Sequence, residues 1–213
     1  MIQKKLFSSY TIAIVGVNAL AFLTFFILVS LNEEQAISLL ALQPAAVLAG
    51  KNLWTFLTSI FMHAGFTHLF VNMISLLFIG SFVEKLIGKK RFIIFYFAAG
   101  IFAGIFFVLV SYLFKTDTSI FAVGASGAIF GLGGLLMILT PKIKVYVMFI
   151  IPMQLWIGIL VLFFGMWAVS IAAGIPIGNT AHLGGLLIGI GYGFYLRKKF
   201  PRKTEMIEKY FSQ

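Results

Sequence analysis

Long apolar runs separated by short polar clusters dominate this chain. Six stand out: about Tyr10–Leu31, about His68–Val83, Phe92–Phe114, about Phe121–Leu139, one within Val145–Ala173, and about Ala181–Leu196. A helix crossing a membrane takes about 20 apolar residues, in a range of roughly 17–25. The first, third and fifth runs meet that length. The second and sixth look short, which suits helices that begin below the surface beside a wet cavity. The pattern predicts an all-α, polytopic membrane protein: one bundle of six transmembrane helices over residues 10–196. A short segment, 1–9, precedes it and a basic segment, 197–213, follows it; this tail is read as solvated and lying against the inner leaflet.

The longest connection is Asn32–Thr67. It carries two apolar pieces, Ala36–Leu42 and Leu53–Met62, each too short to span. A loop of this length in a compact bundle is usually functional or partly inserted. Trp54 and Phe56 suit a membrane interface.

Composition strengthens the membrane assignment. Hydrophobic residues make up 61% of the 213, charged residues only 10%, and the mean hydropathy is +1.07. A soluble domain carries nearer ~25% charged residues and has no interior large enough for this much apolar surface. The chain has no cysteine, which excludes a disulfide framework and a thiolate metal site.

The net charge of +10 invites comparison with nucleic-acid binders, but its distribution speaks against that. Fourteen of the sixteen Lys and Arg fall in alternate loops and at the two ends; only Lys51 and Lys115 lie in the other set. That is the arrangement of topology determinants and anionic-lipid contacts, so no nucleic-acid partner is expected. Both termini are predicted to be cytoplasmic. The second, fourth and sixth helices then run from outside to inside. The basic inner loops, without a targeting extension, fit a bacterial plasma membrane.

Lys4 and Lys5 precede an apolar run of about 22 residues, longer than the 7–15 of a signal-peptide core. Asn32-Glu33-Glu34 follows it in place of a small-residue cleavage site. The run is read as a retained signal anchor.

The predicted orientation brings His68, Ser126 and His182 to the outer ends of three helices. Ser126 sits in Gly124-Ala125-Ser126-Gly127, a weak pattern in a chain of 21 glycines. Its plain reading is a small-residue packing face. Gly127, Gly131 and Gly134 share one helix face, and Ala181, Gly185, Gly189 and Gly193 recur every fourth residue. Such faces let helix backbones approach closely in lipid. If the fourth and sixth helices meet along them, Ser126 and His182 meet as well.

A free serine hydroxyl is a poor nucleophile and needs a base. An imidazole, with a pKa near ~6.5, takes the serine proton and returns it to a leaving amine. No acid is placed to orient His182: Asp117 is in an outer loop, and Glu33 and Glu84 are elsewhere. The chemistry expected is a Ser–His dyad hydrolysing peptide bonds within the membrane. His68 and Asn72, spaced i, i+4, join the Ser126 amide as candidate oxyanion donors. Their alternative reading is a polar pair that glues helices.

His63 is read as a structural, hydrogen-bonding histidine, and Glu84 as structural at the inner end of the second helix. His63, His68 and His182 make a three-histidine metal site possible on paper. A His-Glu-x-x-His signature is absent, and neither a metal nor another cofactor is expected.

His68-Leu69-Phe70-Val71-Asn72-Met73, Gly124-Ala125-Ser126-Gly127-Ala128 and Ala181-His182-Leu183-Gly184-Gly185 resemble, in order and interval, the three signature blocks of rhomboid intramembrane serine proteases. The resemblance runs from His63 to about Gly193. It implies a six-helix core whose site opens to the extracellular side through a water-filled cavity. It implies Ser126 as nucleophile and His182 as base. His68, Asn72 and the Ser126 amide would hold the oxyanion, with Gly124, Gly127, Phe130 and His63 in support. Substrates would be membrane proteins cut in or near a transmembrane segment, often after a small residue.

Two positions depart from the pattern. Many members have Trp-Arg where this chain has Trp54-Thr55, and some have Tyr where it has Phe130. The resemblance also implies a minimal version, without a soluble N-terminal domain. A non-catalytic rhomboid-like protein that binds or escorts membrane proteins is the competing function. A small transporter or channel would need paired buried charges in mid-helix, and the six spans hold none. Nothing in the chain sets an oligomeric state.

Overall fold

The computed structural model describes residues 9–147, 150–174 and 178–211. Lys4 and Lys5, most of the segment 1–9, and the last two residues of the tail lie outside this range. The architecture is an all-α membrane bundle carrying one small hairpin. Its elements are α1 (Ser9–Leu31), α2 (Glu33–Leu40), α3 (Pro44–Leu48), α4 (Thr55–Thr58), α5 (Phe66–Ser75), α6 (Ser81–Ile87), α7 (Lys89–Phe114), α8 (Ser126–Leu139), the strands β1 (Lys144–Val147) and β2 (Ile151–Gln154), α9 (Leu155–Ala173), α10 (Asn179–Lys199) and α11 (Pro201–Phe211).

Among the described residues, four helices are long and apolar enough to cross a membrane: Ser9–Leu31, Phe66–Ile87, Lys89–Phe114 and Leu155–Ala173. Phe66–Ile87 joins α5 to α6 through a π turn at Leu76–Gly80 and is 22 residues long, so the second span is not short. The sixth apolar run lies within α10, a helix of 21 residues that extends beyond the run at its basic end. Both helices continue through polar residues, Glu84-Lys85 in one and Arg197-Lys198-Lys199 in the other, where the apolar run stops. The short helix is the fourth. α8 has 14 residues and a length of roughly 21 Å, less than the ~30 Å hydrocarbon core. The segment Phe121–Ala125, read as its beginning, is non-helical and positions Ser126 at the first turn.

Within the predicted fifth run, Lys144–Val147 and Ile151–Gln154 pair antiparallel before α9 begins at Leu155. The loop Asn32–Thr67 is structured by α2, α3, α4 and a 3-10 turn at Ser59–Phe61. It is tied to the segment before Ser126 by reciprocal backbone bonds between Leu42 and Ala122, 3.1 and 2.8 Å. The tail is helical, as α11, with Pro201 at its start, where a proline costs no helical hydrogen bond.

α8 and α10 form the centre, with α7 packed across them. α1 lies outermost: Leu20, Phe26 and Leu31 are among its many exposed apolar side chains, as a lipid-facing helix requires. The close fit of α8 on α10 depends on glycine. A Cβ at Gly185 would land on the carbonyl of Gly127, and one at Gly189 on the carbonyl of Gly131. The small-residue faces of the two helices therefore do meet, bringing the first turns of α8 and α10 side by side.

Candidate active site

Ser126 opens α8, and His182 lies in the first turn of α10. Ser126 Oγ and His182 Nε2 are 2.7 Å apart, a hydrogen bond. His182 is 4% exposed, and its Nδ1 has no hydrogen-bond partner among the described residues. No carboxylate orients it. An aromatic ring lies against it instead: Phe130, one helical turn after Ser126, stacks on His182 with centroids 4.7 Å apart and planes 28° apart. Phe163 of α9 meets Phe130 edge-on at 5.8 Å.

His68, in the first turn of α5, reaches the same place. Gly124 has φ +117°, which a side chain rarely tolerates, and a Cβ there would meet His68 Cε1 at 2.8 Å and Nε2 at 2.9 Å. That hypothetical Cβ stands 3.7 Å from Ser126 Oγ. Glycine at 124 thus lets the His68 ring lie over the chain just before the serine. The Gly124 N–H is held by the Ser59 carbonyl at 2.8 Å. On its far side, His68 Nδ1 accepts from the Ala64 N–H at 3.4 Å. A neutral imidazole that accepts at Nδ1 carries its proton on Nε2, the nitrogen nearer Gly124. The Nε2–H of His68 thus lies beside the Gly124 backbone, two residues before the serine.

Asn72 is buried one turn below His68, and its amide donates to the His68 carbonyl at 2.9 Å. One N–H is committed to the helix backbone; the amide has a second. His63 is 1% exposed, and its ring packs on that of His68 at 5.1 Å. Its Nδ1 lies 3.3 Å from the Phe61 carbonyl, which can only accept, so Nδ1 carries the proton. Its Nε2 is buried without a partner among the described residues. Burial, reinforced by the neighbouring His68, pushes His63 down to about 4.

Gly127 is buried against α7, where a Cβ would meet that of Ala103 at 2.7 Å. Thr55, one of the two departures from the resembled pattern, is buried and donates to the Asn52 carbonyl at 2.6 Å, closing the loop locally. Glu84 sits at the other end of the second span. The positioning groups that sequence reasoning missed, the Ser59 carbonyl and the Ala64 N–H, belong to the backbone and leave no residue-type signal. Among the described residues, no group of three His, Cys, Asp or Glu is arranged to hold a metal.

Fold and site together define a multi-pass helical membrane protein with a serine–histidine pair and a second histidine gathered at one end. A rhomboid-domain profile matches residues 50–199, and the chain belongs to the rhomboid family. It is 37% identical over 176 residues to the rhomboid protease GluP of Bacillus subtilis (strain 168), covering 80% of this chain and 32% of that protein. It is 35% identical over 165 residues to RHOMBOID-like protein 1 of Arabidopsis thaliana, covering 75% of this chain and 39% of that protein. Inactive RHOMBOID-like protein 8 of Arabidopsis thaliana is 32% identical over 145 residues, covering 67% of this chain and 38% of that protein. The chain thus spans well under half the length of these relatives.

Proposed function

We propose that this protein is an intramembrane serine endopeptidase working through a Ser126–His182 dyad. The observation that carries the reading is the 2.7 Å contact between Ser126 Oγ and His182 Nε2. His182 Nε2 takes the hydroxyl proton as Ser126 Oγ attacks the scissile carbonyl. The tetrahedral oxyanion is held by the Ser126 N–H, the His68 Nε2–H and the second N–H of Asn72. His182 returns the proton to the leaving amine. A water, deprotonated by His182, then cleaves the acyl-enzyme and restores the serine. Phe130 takes over part of the orienting work that a carboxylate performs in a triad.

The substrates are membrane proteins cut in or near a transmembrane segment. Six spans over residues 10–196 form the working unit, with segments 1–9 and 197–213 at the cytoplasmic face. The Lys and Arg asymmetry supports cytoplasmic termini and a site toward the extracellular side of a plasma membrane. The protease name of the Bacillus relative supports both the activity and a bacterial setting.

A non-catalytic role has one observation in its favour, the relative named inactive. Purified protein in liposomes, given a single-span substrate, separates the two. Cleavage lost in Ser126→Ala and in His182→Ala, with both still folded, is the expected result. Cleavage that survives Ser126→Ala rejects the dyad. A folded wild type that cleaves nothing and is not labelled at Ser126 by a fluorophosphonate points to the binding role.

A further inference from the structure

Ser126, His182 and His68 occupy the first turns of their helices. The last turns of the same bundle build a different surface. Leu86 and Ile87 end α6, Leu139 ends α8 and Leu196 lies near the end of α10; together with Ile207 of α11 they line an open apolar cavity. Phe200, between α10 and α11, also lines it, as do the exposed Arg91 and Lys203.

Three cations crowd the Phe200 ring. Arg91 Cζ is 4.9 Å from its centroid, Lys199 Nζ 5.8 Å and Lys203 Nζ 5.9 Å. The ring attracts each cation but does not cancel the repulsion among them. Among the described side chains, two nearby carboxylates are engaged elsewhere. Glu84 accepts from Thr11, and Glu205 pairs with Lys209 at 2.9 Å. Lys199 is held ready by a bond to the Tyr195 hydroxyl at 2.7 Å. A positive rim over an apolar cavity matches a molecule with an anionic head and a hydrocarbon tail.

α11 adds an independent observation. Met206 and Tyr210, four residues apart, are 71% and 74% exposed. Arg202, Lys203 and Lys209 lie on the same side of the helix by its 100° rotation per residue. Apolar anchors among cations are the makings of a helix that lies in the headgroup layer. Such a helix brings the cavity mouth to the depth of lipid phosphates.

We propose that this corner, between α6, α8, α10 and α11, is a binding site for one anionic phospholipid. The phosphodiester sits among Arg91, Lys199 and Lys203, and an acyl chain lies along Leu86, Leu139 and Ile207. The apolar lining selects a lipid over free phosphate, and the cations select an anionic lipid over a zwitterionic one. The site is independent of the proposed dyad and is tested without an activity readout.

The test is thermal unfolding of the purified full chain in nonionic detergent, titrated with dioctanoyl phosphatidylglycerol, dioctanoyl phosphatidylcholine or inorganic phosphate. A ligand at about ten times its Kd raises Tm by about 3–6 °C in a chain of this size. The expected result is that rise with phosphatidylglycerol alone. Each of Arg91→Gln and Lys203→Gln should weaken half-saturation about fivefold. Lys51→Gln, far along the chain in the other set of loops, should leave it unchanged. Unliganded Tm reports folding of each variant, and Lys203→Gln, on an exposed helix, carries the test if Arg91→Gln folds poorly. Equal shifts with phosphatidylcholine, equal shifts with inorganic phosphate, or an undiminished response in folded Lys203→Gln would each overturn the proposal.

Discussion

The helix Phe66–Ile87 has a polar cluster at each end, and the two clusters differ in how fully their hydrogen bonds are met. At its lower end the buried Glu84 carboxylate accepts from the Thr11 N–H at 2.8 Å, the Thr11 hydroxyl at 2.9 Å and the Tyr10 N–H at 3.3 Å. The two N–H groups are orphan donors of the first turn of α1, so one carboxylate caps a helix and pins it to its neighbour. Roughly 24 Å away along the helix, at ~1.5 Å per residue, the other cluster leaves His182 Nδ1 and His63 Nε2 buried without partners among the described residues. An unmet buried polar group costs about 1–3 kcal/mol. A chain that meets three donors at one end and tolerates this cost at the other has different uses for the two ends. On the proposed mechanism the first is cement, and the second is kept available for chemistry.

The sharpest way to break this contrast is to remove both clusters and measure two quantities. On the proposed mechanism, Ser126→Ala and His182→Ala each lower cleavage by ~10³-fold or more, and the double variant is no worse than either, because the two act as a unit. Their Tm values should stay within a few degrees of wild type. Glu84→Ala should do the reverse. Three donors lose a charged acceptor, which lowers stability by about 3 kcal/mol and Tm by about 6–12 °C. Cleavage per folded molecule should be unchanged at low temperature. Glu84→Ala that loses activity while keeping its Tm would end the distinction.

The two ends also differed in how legible they were from sequence. Ser126 and His182 could be paired because Gly127, Gly131, Gly185 and Gly189 mark two faces that only each other can fill. Glu84 could be placed at the far end, but not assigned to Thr11, since nothing local joins residues 73 apart. The hairpin was hidden because Val145, Tyr146, Ile151 and Met153 carry the same hydropathy as the helix that follows, and a continuous apolar run has no period to separate strand from helix. The length of the second span and the start of the fourth helix were misjudged for a related reason. Hydropathy marks where apolar residues stop, whereas a helix stops where its backbone bonding does. The tilt of His68 over Gly124 depends on backbone groups of Ser59 and Ala64, which any residue type supplies.

His63 gives the contrast a pH signature. Its pKa is about 4 when folded and 6.5 as a free side chain, so between these values the unfolded chain binds more protons than the folded one. Stability therefore rises with pH across this window and is lost as pH falls from 6.5 toward 4. At pH 5 the loss is about 2 kcal/mol. Unfolding of wild type at pH 7 and pH 5 should show a drop of at least this size, and His63→Gln should shrink it by about 2 kcal/mol. A drop of the same size in His63→Gln would assign it to other groups.

The smallest expected effect concerns Phe130, and it decides whether stacking orients His182. Aromatic pairs are worth about 0.5–1.5 kcal/mol beyond area burial, so losing the stack should cost roughly 3–10-fold in rate. Phe130→Leu keeps an apolar side chain of similar bulk while removing the ring that lies 4.7 Å from His182. If the ring fixes the imidazole, kcat falls and KM holds, because the defect is in proton transfer and not in docking. Phe130→Tyr should recover wild-type kcat, since it restores the stack. A rise in KM with kcat intact would instead make Phe130 part of the substrate's path, and His182 would then depend for its orientation on the serine contact and the packing of α8 against α10.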